Sequence, residues 1–347
     1  MKPSLAVPAL AGVAAAQSEV RYLGRVNPET KELSWPGTGV SFAFTGTSAT
    51  IGIASVSGTS SAELVIDGGD PIVIPSINGT EISTPSGLEE GDHTLVLHKR
   101  SDPGFGSIFL GEITTDGTLV AETPRERQIE FIGDSITVGY GLDGVNPCVN
   151  TAALENNPKT YAALAAEALG ADYSIVAHGG RGLTRNYADP YNDGVPILPE
   201  LYTRYGANDE SDSYTFPEAW TPDVVVINLG TNDWSYLDVR DPMDPAVFSE
   251  AMVEFVKSIQ EHYPDATYFL LSTPMLNDGY PSEEDAQHST HAGALSDAIE
   301  LLGGDSVHFV DWPAQGAEVG CDYHPNAETH AAQAVVLADA IAAELGW

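Results

Sequence analysis

The chain has 347 residues, a length that suits two domains of about 150 residues each. Fourteen Lys and Arg against 50 Asp and Glu leave a formal charge of −36, which repels phosphate backbones and anionic lipid, so nucleic acid and membrane surfaces are excluded as expected partners. Neutral polymers such as polysaccharides stay open, and 42% apolar residues with 34 Gly and 23 Pro indicate a folded, turn-rich chain rather than a disordered one.

The chain begins with one basic residue, Lys2, then the mostly apolar run from Leu5 to Ala16, ending in Ala14-Ala15-Ala16-Gln17. Residues 1–16 therefore read as a secretory signal peptide with an A-x-A cleavage pattern, too short to span a bilayer. No later stretch reaches eighteen consecutive apolar residues, so a soluble extracellular protein is expected. Secretion makes Cys148 and Cys321 eligible to form a disulfide. Asn78-Gly79-Thr80, in a turn-like stretch, is a candidate glycosylation site at Asn78.

Residues 17–123 read as a first domain, with a strand-like period from Val40 to about Thr115. Val40, Phe42 and Phe44 alternate with Ser41, Ala43 and Thr45. Ile51-Gly52-Ile53, Leu64-Val65-Ile66, Ile72-Val73-Ile74 and the run from His93 to His98 follow, separated by breaks such as Asp67-Gly68-Gly69-Asp70. Short alternating strands at near-regular spacing predict an antiparallel β-sandwich or jelly roll. After the charged hinge at 122–127 the pattern changes, and residues 124–347 read as a separate α/β domain. Apolar runs at 129–132, 173–176, 224–229, 267–271 and 307–310 alternate with helical stretches at 161–169, 245–262, 292–302 and 327–345. Strand and helix in alternation predict a mostly parallel sheet covered on both faces, in three layers, with the site along the C-terminal strand edge.

Four segments deliver polar residues to that edge. Ile132-Gly133-Asp134-Ser135 takes a strand into a helix start, where Ser135 is either a nucleophile beside free backbone N–H groups or a helix cap. Ala177-His178-Gly179-Gly180 is a glycine loop after the next strand. Leu229-Gly230-Thr231-Asn232-Asp233 offers the Asn232 amide as an oxyanion donor or as a turn former. Gly320-Cys321-Asp322-Tyr323-His324 precedes the last helix, and His324 could serve Ser135 as general base with help from Asp322. If Ser135 and His324 meet, Cys148 and Cys321 emerge at the same edge, which predicts their bridge beside the site.

These four segments, in this order, resemble the blocks of the SGNH (GDSL-type) hydrolases. The resemblance extends to carbohydrate esterase family 2, which is similar in joining an N-terminal jelly roll to an SGNH domain. It also rests on His98-Lys99-Arg100-Ser101, Arg185-Asn186-Tyr187 and Gly320-Cys321-Asp322. It implies Ser135 as nucleophile, His324 as base, and an oxyanion hole of the Ser135 N–H, Gly180 and Asn232. It also implies removal of acetyl groups from plant polysaccharides, often at sugar 6-hydroxyls, with no metal or organic cofactor.

One departure is that the superfamily's Asp, three residues before the His, is Cys321 here. Asp322 lies two residues before instead. Residues two apart in an extended loop point the same way, so its carboxylate is expected to complete a triad; a backbone carbonyl in its place would leave a dyad. Trp234 reads either as a sugar-stacking platform or as core. Asp134 is expected to brace the loop behind Ser135, and His288 with His291 lacks the further ligands of a metal site. The rival readings are a general esterase or lipase, disfavoured by the lack of an apolar lid, and a carbohydrate-binding protein without turnover.

Overall fold

A computed structural model describes residues 19–189, 194–236, 239–312 and 314–347. The signal-peptide reading of residues 1–16 lies outside the described residues. The first ten strands are β1 (Arg21–Leu23), β2 (Glu32–Leu33), β3 (Gly39–Gly46), β4 (Ala49–Val56), β5 (Ala62–Ile66), β6 (Ile72–Ile74), β7 (Glu81–Ser83), β8 (Gly91–Lys99), β9 (Ile108–Thr115) and β10 (Thr118–Val120). They form two antiparallel sheets, one in the order β1-β3-β8-β5-β6 with β10 also on β3, the other β2-β9-β4-β7. The period-2 pattern sets the register. Phe42 lies opposite Leu95 and Val40 opposite Leu97, and all four are buried in one core with Ile51, Ile53, Ile108 and Leu110 of the facing sheet. Asn78 is exposed between β6 and β7.

The remaining strands are β11 (Arg127–Gly133), β12 (Ala171–Ala177), β13 (Val224–Asn228), β14 (Thr267–Leu271) and β15 (Val307–Val310). Every pairing among them is parallel, in the order β12-β11-β13-β14-β15. The helices are α1 (Ser135–Val138), α2 (Tyr161–Ala168), α3 (Leu198–Leu201), α4 (Thr231–Trp234), α5 (Pro245–Gln260), α6 (Gln287–Leu302) and α7 (Ala327–Leu345).

The continuous apolar runs of this sheet follow from its two covered faces. Ile129, Phe131, Val224, Val226, Phe269 and Leu271 join Tyr161 of α2 and Leu337 of α7 in one core. Their neighbours Ile132, Val225, Ile227, Tyr268 and Leu270 join Met252 and Phe255 of α5 and Leu295 of α6 in the other. The chain is thus a three-layer α/β unit behind an antiparallel β-sandwich.

Glu130 interrupts the run in β11 and is fully buried. Arg25, from the segment after β1, reaches it with Nη2 3.2 Å from Oε1. The Tyr202 hydroxyl and Trp220 Nε1 also donate to it, at 2.6 and 3.1 Å. A buried carboxylate with three donors ties the sandwich to β11.

β11 sits where the strand order reverses, with β12 on one side and β13 on the other, and its C-terminal end opens into the crevice created by that reversal. Ser135 is the second residue beyond it.

Candidate active site

Gly133 ends β11 in a turn so tight that a Cβ there would lie 2.0 Å from Thr137 Oγ1. The helix that follows is a single turn, closed by Gly139 at φ 84°. Its cap is Asp134, whose Oδ1 accepts the Ile136 N–H at 3.0 Å, so the Ser135 hydroxyl is released from capping. Ser135 Oγ instead lies 2.8 Å from His324 Nε2. The N–H of Ser135, at the first helical position, has no helical carbonyl to bind.

His324 is half-buried, and the Tyr140 ring lies over it with centroids 4.2 Å apart. Desolvation pulls its pKa down from 6.5 to about 4, against the opposing pull of the Asp322 carbonyl and charge. The imidazole is therefore neutral and able to take a proton at ordinary pH.

The expected Asp322 carboxylate is not at Nδ1. The group 3.2 Å from His324 Nδ1 is the Asp322 backbone carbonyl. Its Oδ2 instead accepts the Tyr140 hydroxyl at 3.0 Å and the Asn150 N–H at 3.1 Å. The reason is local conformation. Asp322 and Tyr323 have φ of 50° and 64°, so the segment is not extended and the rule that residues two apart share a face fails. Two left-handed residues turn the carbonyl toward the ring and the carboxylate away from it. The geometry is that of a Ser–His dyad braced by a carbonyl.

Gly230, at φ 130°, packs against His291, whose Nε2 a Cβ there would approach to 2.2 Å. The same Nε2 lies 3.0 Å from the Leu229 carbonyl, and burial lowers the His291 pKa to about 4, so the ring is a neutral brace behind the turn. His288 pairs with Asp311 at 3.1 Å, and among the described residues no group of three His, Cys, Asp or Glu could hold a metal. The turn carries Asn232, whose Nδ2 donates to the Arg181 carbonyl at 2.8 Å and to Asp134 Oδ2 at 3.2 Å. Burial pushes Asp134 up to about pKa 7, opposed by the Ile136 N–H and the Thr231 hydroxyl. Asp233 accepts N–H groups of Leu183, Thr184 and Arg185 at 2.7–3.1 Å and so fixes the loop after Gly180.

Trp234 is not a platform. It is 3% exposed, edge-on to Phe248 at 4.7 Å and His291 at 4.9 Å, because the single turn of α4 directs it into the core beneath α5 and α6. The exposed aromatic beside the dyad is Tyr323, 68% accessible.

Cys148 and Cys321 form a disulfide with Cα atoms 4.8 Å apart. It closes a loop of 173 residues and ties the segment after α1 to the turn holding His324. In the chain-entropy account such a loop contributes about 5 kcal/mol.

The glycine loop packs against Ser135, since a Cβ on Gly179 would lie 3.7 Å from the Ser135 Cβ. Gly180 follows at φ 75°. Two groups there were not foreseen from sequence. Asp102 accepts the Gly179 N–H at 2.6 Å, and His178 lies against the same carboxylate. The signal was the charged run His98-Lys99-Arg100-Ser101 and the Asp102 that follows it, which is buried throughout from Lys99 to Asp102.

Comparison with known proteins follows the same two-part division. Residues 22–124 match the carbohydrate esterase 2 N-terminal family, and residues 131–332 match the GDSL-like lipase/acylhydrolase family. The structure is similar to that of a carbohydrate esterase family 2 enzyme with a carbohydrate-binding domain from Corynascus thermopiles (Myceliophthora fergusii). Identity to it is 67%, over 94% of this chain and all of that one, at a TM-score of 0.92. The chain is 35% identical over 94% of its length to cellulase/esterase CelE of Acetivibrio thermocellus, of which it spans 40%. It is 30% identical, over 86% of its length and 82% of the relative's, to an acetylxylan esterase/glucomannan deacetylase of Cellvibrio japonicus.

Proposed function

Because the chain belongs to carbohydrate esterase family 2, we propose that it is a secreted serine esterase that removes O-acetyl groups from plant cell-wall polysaccharides. The observation that carries this reading is the 2.8 Å contact between Ser135 Oγ and His324 Nε2 at the C-terminal end of a parallel sheet. The Cellvibrio relative is named for acetylxylan and glucomannan, and Tyr323 offers an exposed ring next to His324 on which a sugar can stack.

In this reading Ser135 Oγ attacks the acetyl carbonyl while its proton passes to His324 Nε2. The N–H groups of Ser135 and Gly180 and the Asn232 amide receive the oxyanion. Collapse breaks the bond to the sugar oxygen, which leaves with the proton from His324. Water then attacks the acyl-Ser135, giving its proton to His324, and acetate departs as Ser135 regains one. Residues 1–16 direct export, and Asn78 is offered for glycosylation on an exposed loop.

Acetate release from acetylated xylan and glucomannan, with positional analysis of the acetyl groups lost, tests the proposal. Release from 6-O-acetyl positions is the expected result. Turnover of small esters alone would make it a general esterase, and retention on insoluble polysaccharide without release would make it a binding protein.

The depressed pKa of His324 fixes the sign of the acid limb. The base works unprotonated, so kcat/KM on a soluble acetyl ester should hold as pH falls from neutrality and be lost only near pH 4. A midpoint near 6.5 would mean an imidazole in open solvent. Asp322→Asn keeps the carbonyl at Nδ1 and should cost less than about fivefold in kcat, whereas loss of a working triad carboxylate costs about 10⁴. Steady-state rates for the purified variant separate the two.

A further inference from the structure

The β-sandwich supplies a buried carboxylate to the loop that faces Ser135. Asp102 lies three residues beyond β8 and is 5% exposed. Its Oδ2 accepts the Gly179 N–H at 2.6 Å, and its Oδ1 accepts the Gly104 N–H. Oδ1 also lies 3.1 Å from His178 Nδ1, a contact out of hydrogen-bond alignment. The Gly179 peptide is held between this carboxylate and the nucleophile, since a Cβ built on it would lie 3.4 Å from Asp102 Oδ2 and 3.7 Å from Ser135 Cβ.

Asp102 is itself immobilised from both sides. Glu155, in the segment before α2, accepts the Asp102 backbone N–H, and Asn150 donates to the other Glu155 oxygen at 2.8 Å. Lys99 Nζ donates to the carbonyls of Ser101 and Asp102. Arg100 pairs with Asp143 across the junction and with Glu63 at 3.4 Å within the sandwich. Burial alone would raise the Asp102 pKa, but His178 and the Gly179 and Gly104 N–H groups outweigh it and hold the group near 2, so it is ionised throughout the working range.

From this geometry we infer that Asp102, contributed by the sandwich, is a positioning residue for ester hydrolysis, holding the Gly179 peptide so that the Gly180 N–H faces the oxyanion formed at Ser135. The inference rests on the esterase reading above. Two consecutive glycines have wide backbone freedom, and an untethered His178–Gly180 loop would sample orientations that turn its N–H groups away. A charge-assisted bond to a fixed carboxylate is about twice as strong as a neutral one and removes that freedom before substrate arrives. The sandwich is then part of the reaction's geometry, acting through one carboxylate, whatever polysaccharide contacts it also makes.

The test uses the full chain, 4-nitrophenyl acetate as substrate and an alkyl boronic acid, whose tetrahedral Ser135 adduct places an oxygen where the oxyanion forms. Asp102→Ala should lower kcat about 10- to 100-fold with KM within about twofold, and weaken boronic acid inhibition by a comparable factor. Asp102→Asn, whose amide oxygen can still accept the Gly179 N–H, should lose less of both. If the alanine variant fails to fold, judged by thermal melting, the isosteric asparagine variant carries the comparison against wild type. Unchanged kcat in a folded variant, a rise in KM alone, or a fall in kcat with undiminished boronic acid affinity would each overturn the role. An inactive wild-type protein would instead refute the esterase reading, a result distinct from an active wild type with an equally active Asp102 variant.

Discussion

Ser135→Ala is expected to lower acetyl-ester turnover by up to about 10⁶, the scale of the loss when the serine nucleophile is removed from a serine protease. Ser135 Oγ is the group hydrogen-bonded to the neutral base, and no second hydroxyl has that partner among the described residues. The variant should nonetheless fold. The helix cap at this turn is Asp134, so removing the Ser135 hydroxyl spares the bond to Ile136 N–H, and the cost falls below the roughly 1 kcal/mol of a lost cap. Acetate release and thermal melting on the same sample make the comparison. Turnover within tenfold of wild type at an unchanged melting temperature would move the nucleophile elsewhere. His324→Ala in the Ser135→Ala background should add little, because the two groups act in one proton transfer.

The parallel sheet was readable because its strands are buried on both faces. Val224–Ile227 and Tyr268–Leu271 are unbroken apolar runs, and the intervening helix at 245–260 shows Met252, Phe255, Val256 and Ile259 on one stripe. The sandwich core was readable from Val40, Phe42 and Phe44 for the matching reason at period 2. The short strands at 21–23, 32–33, 81–83 and 118–120 carry little apolar alternation and owe their pairing to neighbours already in place.

At the site, Ser135 and His324 were legible because strand ends and a helix start bracket them. The Asp322 side chain was not, since its direction depends on two left-handed residues that no propensity for Asp-Tyr announces. Trp234 was ambiguous for a similar reason. One turn of helix decides whether an aromatic faces solvent or core, and Phe248 and His291, which enclose it, arrive from later in the chain. Asp102 and Gly179 are 77 positions apart, and the Arg25–Glu130 pair 105, so neither contact has a local signature. Charged residues that bridge two units read in sequence as surface.

Asn232→Ala is expected to lower kcat by roughly 10²–10³ with little change in KM, the effect of deleting one oxyanion donor, about 2.7–4 kcal/mol of transition-state stabilisation. In the free protein both N–H bonds of the amide are engaged, one with the Arg181 carbonyl at 2.8 Å and one with Asp134 Oδ2 at 3.2 Å. The second is at the long end of the hydrogen-bond range, so it is the one a developing oxyanion can capture. Nothing of this is gained with a neutral ester carbonyl in the ground state, which is why KM should hold. The substitution also leaves the Arg181 carbonyl and the Asp134 carboxyl short of a donor, at about 1–3 kcal/mol of folding stability. Rates measured well below the melting temperature of both proteins remove that contribution. A loss confined to KM would assign Asn232 to substrate binding. A loss in kcat that vanishes on cooling would assign it to holding the turn between β13 and α4.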